Sequence, residues 1–185
     1  MCSSDLEGRG RISLRTVNMK NLKSELALVK GIYNKAWEPN WGFVPLTNDE
    51  IDYIADDLKS IVNPKYLFFA YKDGQAIGFA LTLPDVNQVL ITNKKGHLLP
   101  AIPKLLVGLK KVTWCRTIIM GVLPEFRHIG VDALMFYRTI VEASKCGLIY
   151  GEASWVLEDN MMMNRSAELM NATKYKTYRL YEKAI

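Results

Sequence analysis

The second half of the chain switches repeatedly between two hydrophobic periods, and this restricts the fold more than any other feature. Residues 114–123 form a near-continuous apolar run that contains Thr117-Ile-Ile-Met-Gly-Val-Leu123, the pattern of a buried central strand. Residues 130–144 then put Leu134, Tyr137 and Val141 on one helical face. Residues 148–157 read as another strand, 160–170 as a short helix, and 175–183 as an alternating final strand. Such alternation predicts an α/β (α+β) protein, a mixed sheet of about six strands with helices laid on it.

The first half supplies the remaining elements. Residues 12–17 alternate as Ile-Ser-Leu-Arg-Thr-Val, which suits a strand. Residues 18–21 form a turn, after which Leu22, Leu26, Val29, Tyr33 and Ala36 share one helical face. An aromatic loop spans residues 37–45. Thr47 and Glu50 then make a capping box that opens a second helix, with Ile51, Ile54, Ala55, Leu58 and Val62 facing inward. Asn63-Pro64 ends it. Residues 65–71 and 75–83 are strands joined by Asp73-Gly74, a strong hairpin turn. Residues 84–96 predict a short helix running into a loop, and 97–112 a basic, apolar helix.

The chain has 185 residues, 49% hydrophobic and 23% charged, which fits one globular domain over residues 11–185. Residues 1–10 have no periodicity and read as a linker or non-native tail, and they hold no apolar core of a signal peptide. No apolar run is long enough to span a bilayer, since Pro100, Pro103, Lys104, Lys110 and Lys111 interrupt the nearest one. The three cysteines, Cys2, Cys115 and Cys146, are far apart and odd in number. They read as reduced thiols of a cytoplasmic protein without a disulfide framework or metal site, with Cys115 and Cys146 as small core residues. Net charge of +5 suits nucleic acid, an anionic membrane or an anionic cofactor, but it is too dispersed to argue for nucleic acid by itself.

Chemistry concentrates in residues 120–134. A strand ends at Leu123-Pro124, a short basic loop follows, and a helix opens near Gly130. A helix N-terminus offers unpaired backbone N–H groups and the positive end of its dipole. Gly130 allows close backbone approach and Arg127 adds a cation, so the segment suits a pyrophosphate.

Here the sequence resembles the cofactor motif of the GNAT (Gcn5-related N-acetyltransferase) superfamily. That motif is a valine and a proline leaving the fourth strand, followed by Arg/Gln-x-x-Gly-x-Gly/Ala. It corresponds to Val122-Leu-Pro124 and Arg127-His128-Ile129-Gly130-Val131-Asp132. The resemblance implies a GNAT fold from residue 12 to 183, with an acyl-CoA cleft between the fourth and fifth strands. It implies that residues 127–132 hold the pyrophosphate of acetyl-CoA or a longer acyl-CoA, and that Gly121 and Val122 meet the pantetheine arm. Asn160 matches the asparagine that family members carry after the fifth strand. Two positions depart from the pattern. Asp132 stands where the motif ends in glycine or alanine, and Ala167 occupies the place of the tyrosine that often protonates the departing thiolate. Residues 37–45, 154–160 and 175–183 further resemble uncharacterised bacterial GNAT-like proteins with a second, preceding domain. That likeness implies a missing N-terminal partner domain and leaves a homodimer open.

The reaction that the resemblance implies needs a group to take a proton from an amine, and Glu152 and Glu158 are the acids near the strand ends. Glu152 shares a strand face with Ser154, and an acid on a central strand needs a partner or a function. Glu158 instead suits a helix start with Asp159 and Asn160. His128 reads as a solvent or phosphate contact, His97 as a loop residue. Trp37, Trp41 and Phe43 form either a wall of an acceptor pocket or a hydrophobic cluster under a long loop. Met161-Met-Met163 packs a helix start or lines an apolar pocket. The 97–112 helix covers the sheet or touches anionic lipid or an acyl chain. The expected function is N-acyl transfer from acyl-CoA to a small-molecule or peptide amine. The alternatives are a non-catalytic acyl-CoA-binding or interaction domain, and the same fold with aminoacyl-tRNA or an acyl carrier protein as donor.

Overall fold

A computed structural model describes residues 12–178 other than 41, 62 and 154, together with 181 and 183. Side chains of residues 55–62 and 98–102 are outside that description, so Ala55, Leu58 and Val62 are not placed. The chain divides into two compact units, Met1–Ser154 and Trp155–Ile185.

The first unit is built on a five-stranded sheet in sequential order, β1 (Ile12–Thr16), β2 (Leu67–Lys72), β3 (Gln75–Pro84), β4 (Trp114–Val122) and β5 (Tyr150–Ala153). The first four strands are antiparallel neighbours, and β5 joins β4 in parallel. The Asp73-Gly74 turn behaves as its residues demand, with φ of 48° and 84°, and closes the β2–β3 hairpin. Residues 175–178 form no strand, so the described sheet has five strands rather than about six. An alternating pattern needs an edge to pair with, and the period alone does not supply one.

Helices cover both faces of this sheet. Helix α1 (Leu22–Trp37) and the start of α2 (Asn48–Ile61) pack on one face, where Leu26, Ile32 and Ile51 meet Leu67, Phe69 and Phe79. Helix α5 (Val131–Lys145) packs on the other, where Val131, Leu134 and Met135 meet Phe68, Ala70 and Ile77. Strand β2 is therefore apolar at every position from Leu67 to Ala70, alternate side chains feeding opposite cores. Between β3 and β4 stand two helices, α3 (Asn87–Leu90) and α4 (Leu98–Gly108). The second unit contains α6 (Met161–Leu169).

Several local readings hold. Thr47 and Glu50 form the reciprocal capping box: the Glu50 N–H donates to Thr47 Oγ1 at 3.3 Å, and the Thr47 N–H to Glu50 Oε2 at 2.8 Å. The bonds that Oε2 accepts from the Thr47 N–H and from its hydroxyl, at 2.8 Å, hold the Glu50 carboxyl below its ordinary range. Others need correction. The buried residues of α5 are Val131, Leu134, Met135, Phe136, Thr139, Glu142 and Ala143. Of the expected series, Leu134 is buried and Val141 half-buried, while Tyr137 is 53% exposed because the buried stripe runs instead through a threonine and a glutamate. Glu142 tolerates burial through Lys145 Nζ at 2.9 Å and Arg138 Nε at 3.5 Å, and the Lys145 bond above all lowers its carboxyl pKa. Cys115 is buried, but Cys146 is exposed where α5 ends. There Gly147 takes φ of 79°, its N–H donates to Ser144 O and that of Leu148 to Ala143 O, a Schellman ending.

Candidate functional site

Strand β4 was expected to be a buried central strand, and the structure shows otherwise. Cys115, Gly121 and Val122 are buried, whereas Ile118 is 47% exposed and Thr117, Ile119 and Met120 are not fully covered. The pairing geometry gives the reason. Parallel pairing with β5 runs from Trp114↔Tyr150 to Thr117↔Ala153 and stops there. On the other side the register with β3 shifts at the same point, Leu81 facing Ile119 and Thr82 facing Thr117, so Ile118 is the extra residue of a bulge. A bulge bends a strand, and here it falls where β4 parts from its parallel neighbour. Beyond Thr117, β4 therefore has no described strand paired on its β5 side.

The loop at the end of β4 begins with a 3₁₀ turn over Pro124–Phe126, held by the Phe126 N–H on Leu123 O at 2.9 Å. It ends at Gly130, whose φ of 80° and ψ of 18° are left-handed. A Cβ would be strained there, and glycine as the N-cap supplies no side chain to the first turn of α5. First-turn amides have no partner within their own helix, so this helix start keeps the donors and dipole of an anion site. His128 is exposed on the loop, Ile129 and Asp132 are half-buried, and Val131 is buried in the core.

Arg127 does something the sequence does not reveal. Its guanidinium donates to Ala36 O at 2.6 Å through Nη2 and to Val122 O at 3.3 Å through Nε. It ties the loop to the last turn of α1, where a cation also suits the helix dipole. Its guanidinium is engaged in this clamp.

Trp37 ends α1 and lies against β4. It stacks on Tyr33 at 5.0 Å between centroids and tilts against Phe79 at 6.2 Å. A Cβ built on Gly121 would lie 2.2 Å from Trp37 Cζ3, so the ring occupies the space that a side chain at 121 would need. Phe43 joins this cluster through Tyr33 at 5.7 Å. Trp41 lies outside the described residues. The loop after α1 is further tied by Asn34, whose Oδ1 accepts from the Leu46 N–H at 2.9 Å. Trp37 and Phe43 therefore belong to one aromatic cluster around Tyr33, of which the Trp37 ring lies against Gly121 of β4.

Glu152 has the partner its strand position demanded. Its Oε2 accepts from Arg116 Nη2 at 2.9 Å and Nε at 3.3 Å, across the parallel β4–β5 pair. Arg116 was missed in the sequence because a parallel register cannot be read from two strands separated by a helix. In the second unit, Asn160 caps α6 by accepting from the Met163 N–H at 3.2 Å. Asn164 Nδ2 donates to the carbonyls of Leu157 and Asn160, each at 3.0 Å, and fixes the turn that carries Glu158. Met161 is exposed at the start of α6 and Ala167 lies in its last turn. No group of three or more metal-ligating side chains occurs among the described residues. No helix among them is long and apolar enough to cross a membrane.

No family model matches the chain. It is 35% identical over 181 residues to the "Bacterial ceramide synthase" of Caulobacter vibrioides, covering 94% of this chain and 47% of that protein. It is 36% identical over 184 residues to "Protein YghO" of Escherichia coli K12, covering 96% of this chain and 47% of that protein. The chain thus spans about half the length of the curated relatives it matches. Among solved structures, it superposes on the aminoglycoside N-acetyltransferase AAC(6')-Iy, bound to a CoA-containing bisubstrate analogue, with a TM-score of 0.61. That match has 18% sequence identity and covers 94% of this chain and 99% of the other. The sequential mixed sheet with helices on both faces is therefore that of a GNAT acetyltransferase fold.

Proposed function

We propose that this chain is an N-acyltransferase domain that moves an acyl group from acetyl-CoA or a longer acyl-CoA to an amine. The observation that carries the reading is the end of β4. Pairing with β5 stops at Thr117, and the uncapped start of α5 follows the same strand. A strand half without a partner on that side, leading to a glycine-started helix, suits a long amide-bearing arm with a pyrophosphate. In this reading the backbone of residues 128–132 binds the pyrophosphate, Arg127 holds that loop in shape, and Gly121 and Val122 align the pantetheine arm. The amine nitrogen attacks the thioester carbonyl carbon, the C–S bond breaks, the amine gives up a proton, and the departing thiolate takes one up. Positioning and a backbone N–H near Val122 aimed at the carbonyl oxygen supply most of the rate. Glu152 or Glu158 accepts the proton of the amine, directly or through water.

The Caulobacter relative supports a finer proposal. A ceramide is the amide of a fatty acid with a long-chain amino alcohol. The acceptor proposed here is accordingly the primary amine of a long-chain base, and the donor a long-chain acyl-CoA. Because the match covers about half of that relative, the remainder of such a longer protein is proposed to complete the acceptor side.

Calorimetric titration with acetyl-CoA and long-chain acyl-CoAs tests the donor. Gly130→Glu puts a carboxylate at the helix start, while Gly130→Asn keeps a neutral residue that tolerates left-handed backbone. Binding that survives Gly130→Asn and is lost in Gly130→Glu supports the site, and no binding by a folded wild-type chain overturns it. A second reading, an acyl-CoA-binding domain without catalysis, is favoured by Ala167 and by the engagement of Glu152 with Arg116. Thiol release on screening amine acceptors separates the two.

A further inference from the structure

From Asp85 to Glu125 the chain contains no acidic residue, while Lys94, Lys95, Lys104, Lys110 and Lys111 all fall in the same interval. The fold gathers this stretch into the α3–α4 projection between β3 and β4, closed by a 3₁₀ turn at Leu109–Lys111. Arg116 also lies in the interval, but its charge is matched by Glu152. The lysines have no such acid close in sequence.

The same projection exposes apolar side chains. Ile91 is 74% exposed, Leu106 69% and Val107 66%, and Leu109 is also uncovered. Between the two helices opens a cavity of about 620 Å³, floored by Val89 and Val112 and rimmed by Lys104, Val107 and Lys111. Lysine and aliphatic side chains thus border one opening. Gly108 sets the spacing of the pair, because a Cβ there would lie 2.5 Å from Val89 Cγ1. This cavity shares no residue with the candidate acyl-CoA site.

Exposed aliphatic residues set among lysines in a stretch without acids, and without arginine forks or interleaved aromatic platforms, match an anionic bilayer better than a nucleic acid. We propose that the α3–α4 projection docks the protein on an anionic lipid surface, with Ile91, Leu106 and Val107 entering the headgroup region and the lysines pairing with lipid phosphates. This docking does not depend on the acyl-transfer reading.

Co-sedimentation of the 185-residue chain is the test, with vesicles of phosphatidylcholine alone and of one part phosphatidylglycerol to three parts phosphatidylcholine. The expected result is binding to the mixed vesicles, little binding to neutral ones, and weakening as salt is raised. Charge reversal by Lys104→Glu, Lys110→Glu and Lys111→Glu lowers the partition coefficient about a hundredfold, given the contribution of each lysine near a charged surface. Ile91→Asp with Leu106→Asp lowers it on its own, and since both side chains are exposed, circular dichroism and melting remain those of the wild type. Equal binding to both vesicle types, no binding to either, or unchanged binding after charge reversal overturns the proposal. So does tRNA binding without vesicle binding, or a dimer in light scattering that Ile91→Asp with Leu106→Asp dissolves, which would make the face a protein contact.

Discussion

Gly121 shows how one missing side chain shapes the site. The Trp37 ring lies where its Cβ would stand, and Tyr33 and Phe79 hold the ring from behind. Gly121→Ala is expected to cost about 1–3 kcal/mol through overpacking, seen in chemical denaturation. An unchanged midpoint would show that the ring moves freely. The two described thiols form a second contrast. Burial pushes the Cys115 thiol up, whereas Cys146 is exposed at the end of α5. Peptide mapping after brief alkylation should find Cys146 modified and Cys115 protected until denaturant is added, because reactivity needs an accessible thiolate. Equal labelling would contradict the packing of β4 at Cys115. Neither contrast is visible in the sequence, where Cys115 and Cys146 each stand next to a basic residue and Gly121 is one glycine among twelve.

Among the elements, α5 was legible almost to the residue at both ends, 130–144 expected and Val131–Lys145 found. Its ends are local chemistry, with Gly130 at one and Gly147 at the other. Its buried stripe was not legible, because Glu142 goes inward only with Arg138 and Lys145 reaching over it. At the N-terminal end, Gly130→Ala should cost about 1–2 kcal/mol from left-handed strain, and Gly130→Asn less. Thermal melting of the pair checks this, and equal losses would place the cause outside the backbone. Strand β4 shows the opposite case. Its apolar run reads as fully buried, but the bulge at Ile118 and the short reach of β5 leave its middle uncovered. A half-covered strand and a strand buried on both faces use the same residues.

For the molecule as a whole, acid is the expected weak point. The Glu142 carboxyl is held below its ordinary value of 4.5, chiefly by the Lys145 bond. A depressed folded-state pKa gives stability that is present above 4.5 and lost as pH falls below it, because the unfolded chain binds the proton first. Melting temperature should therefore decline from pH 5 to pH 3, and Glu142→Gln should flatten that decline while lowering stability at pH 7. An unaltered acid slope in the variant would remove Glu142 from the account. What the sequence by itself determined is whatever depends on neighbours along the chain. That includes the hairpin at Asp73-Gly74, the capping box at Thr47 and Glu50, the alternation behind a mixed sheet, and the glycine-started helix after Pro124. Only the tertiary structure decided that β4 parts from β5 at Thr117, that Arg116 answers Glu152, that Arg127 clamps Ala36, and that Trp37 fills the space over Gly121. Each of these joins residues far apart in the chain or sets where two strands separate, and hydrophobic period carries no information about register between distant segments.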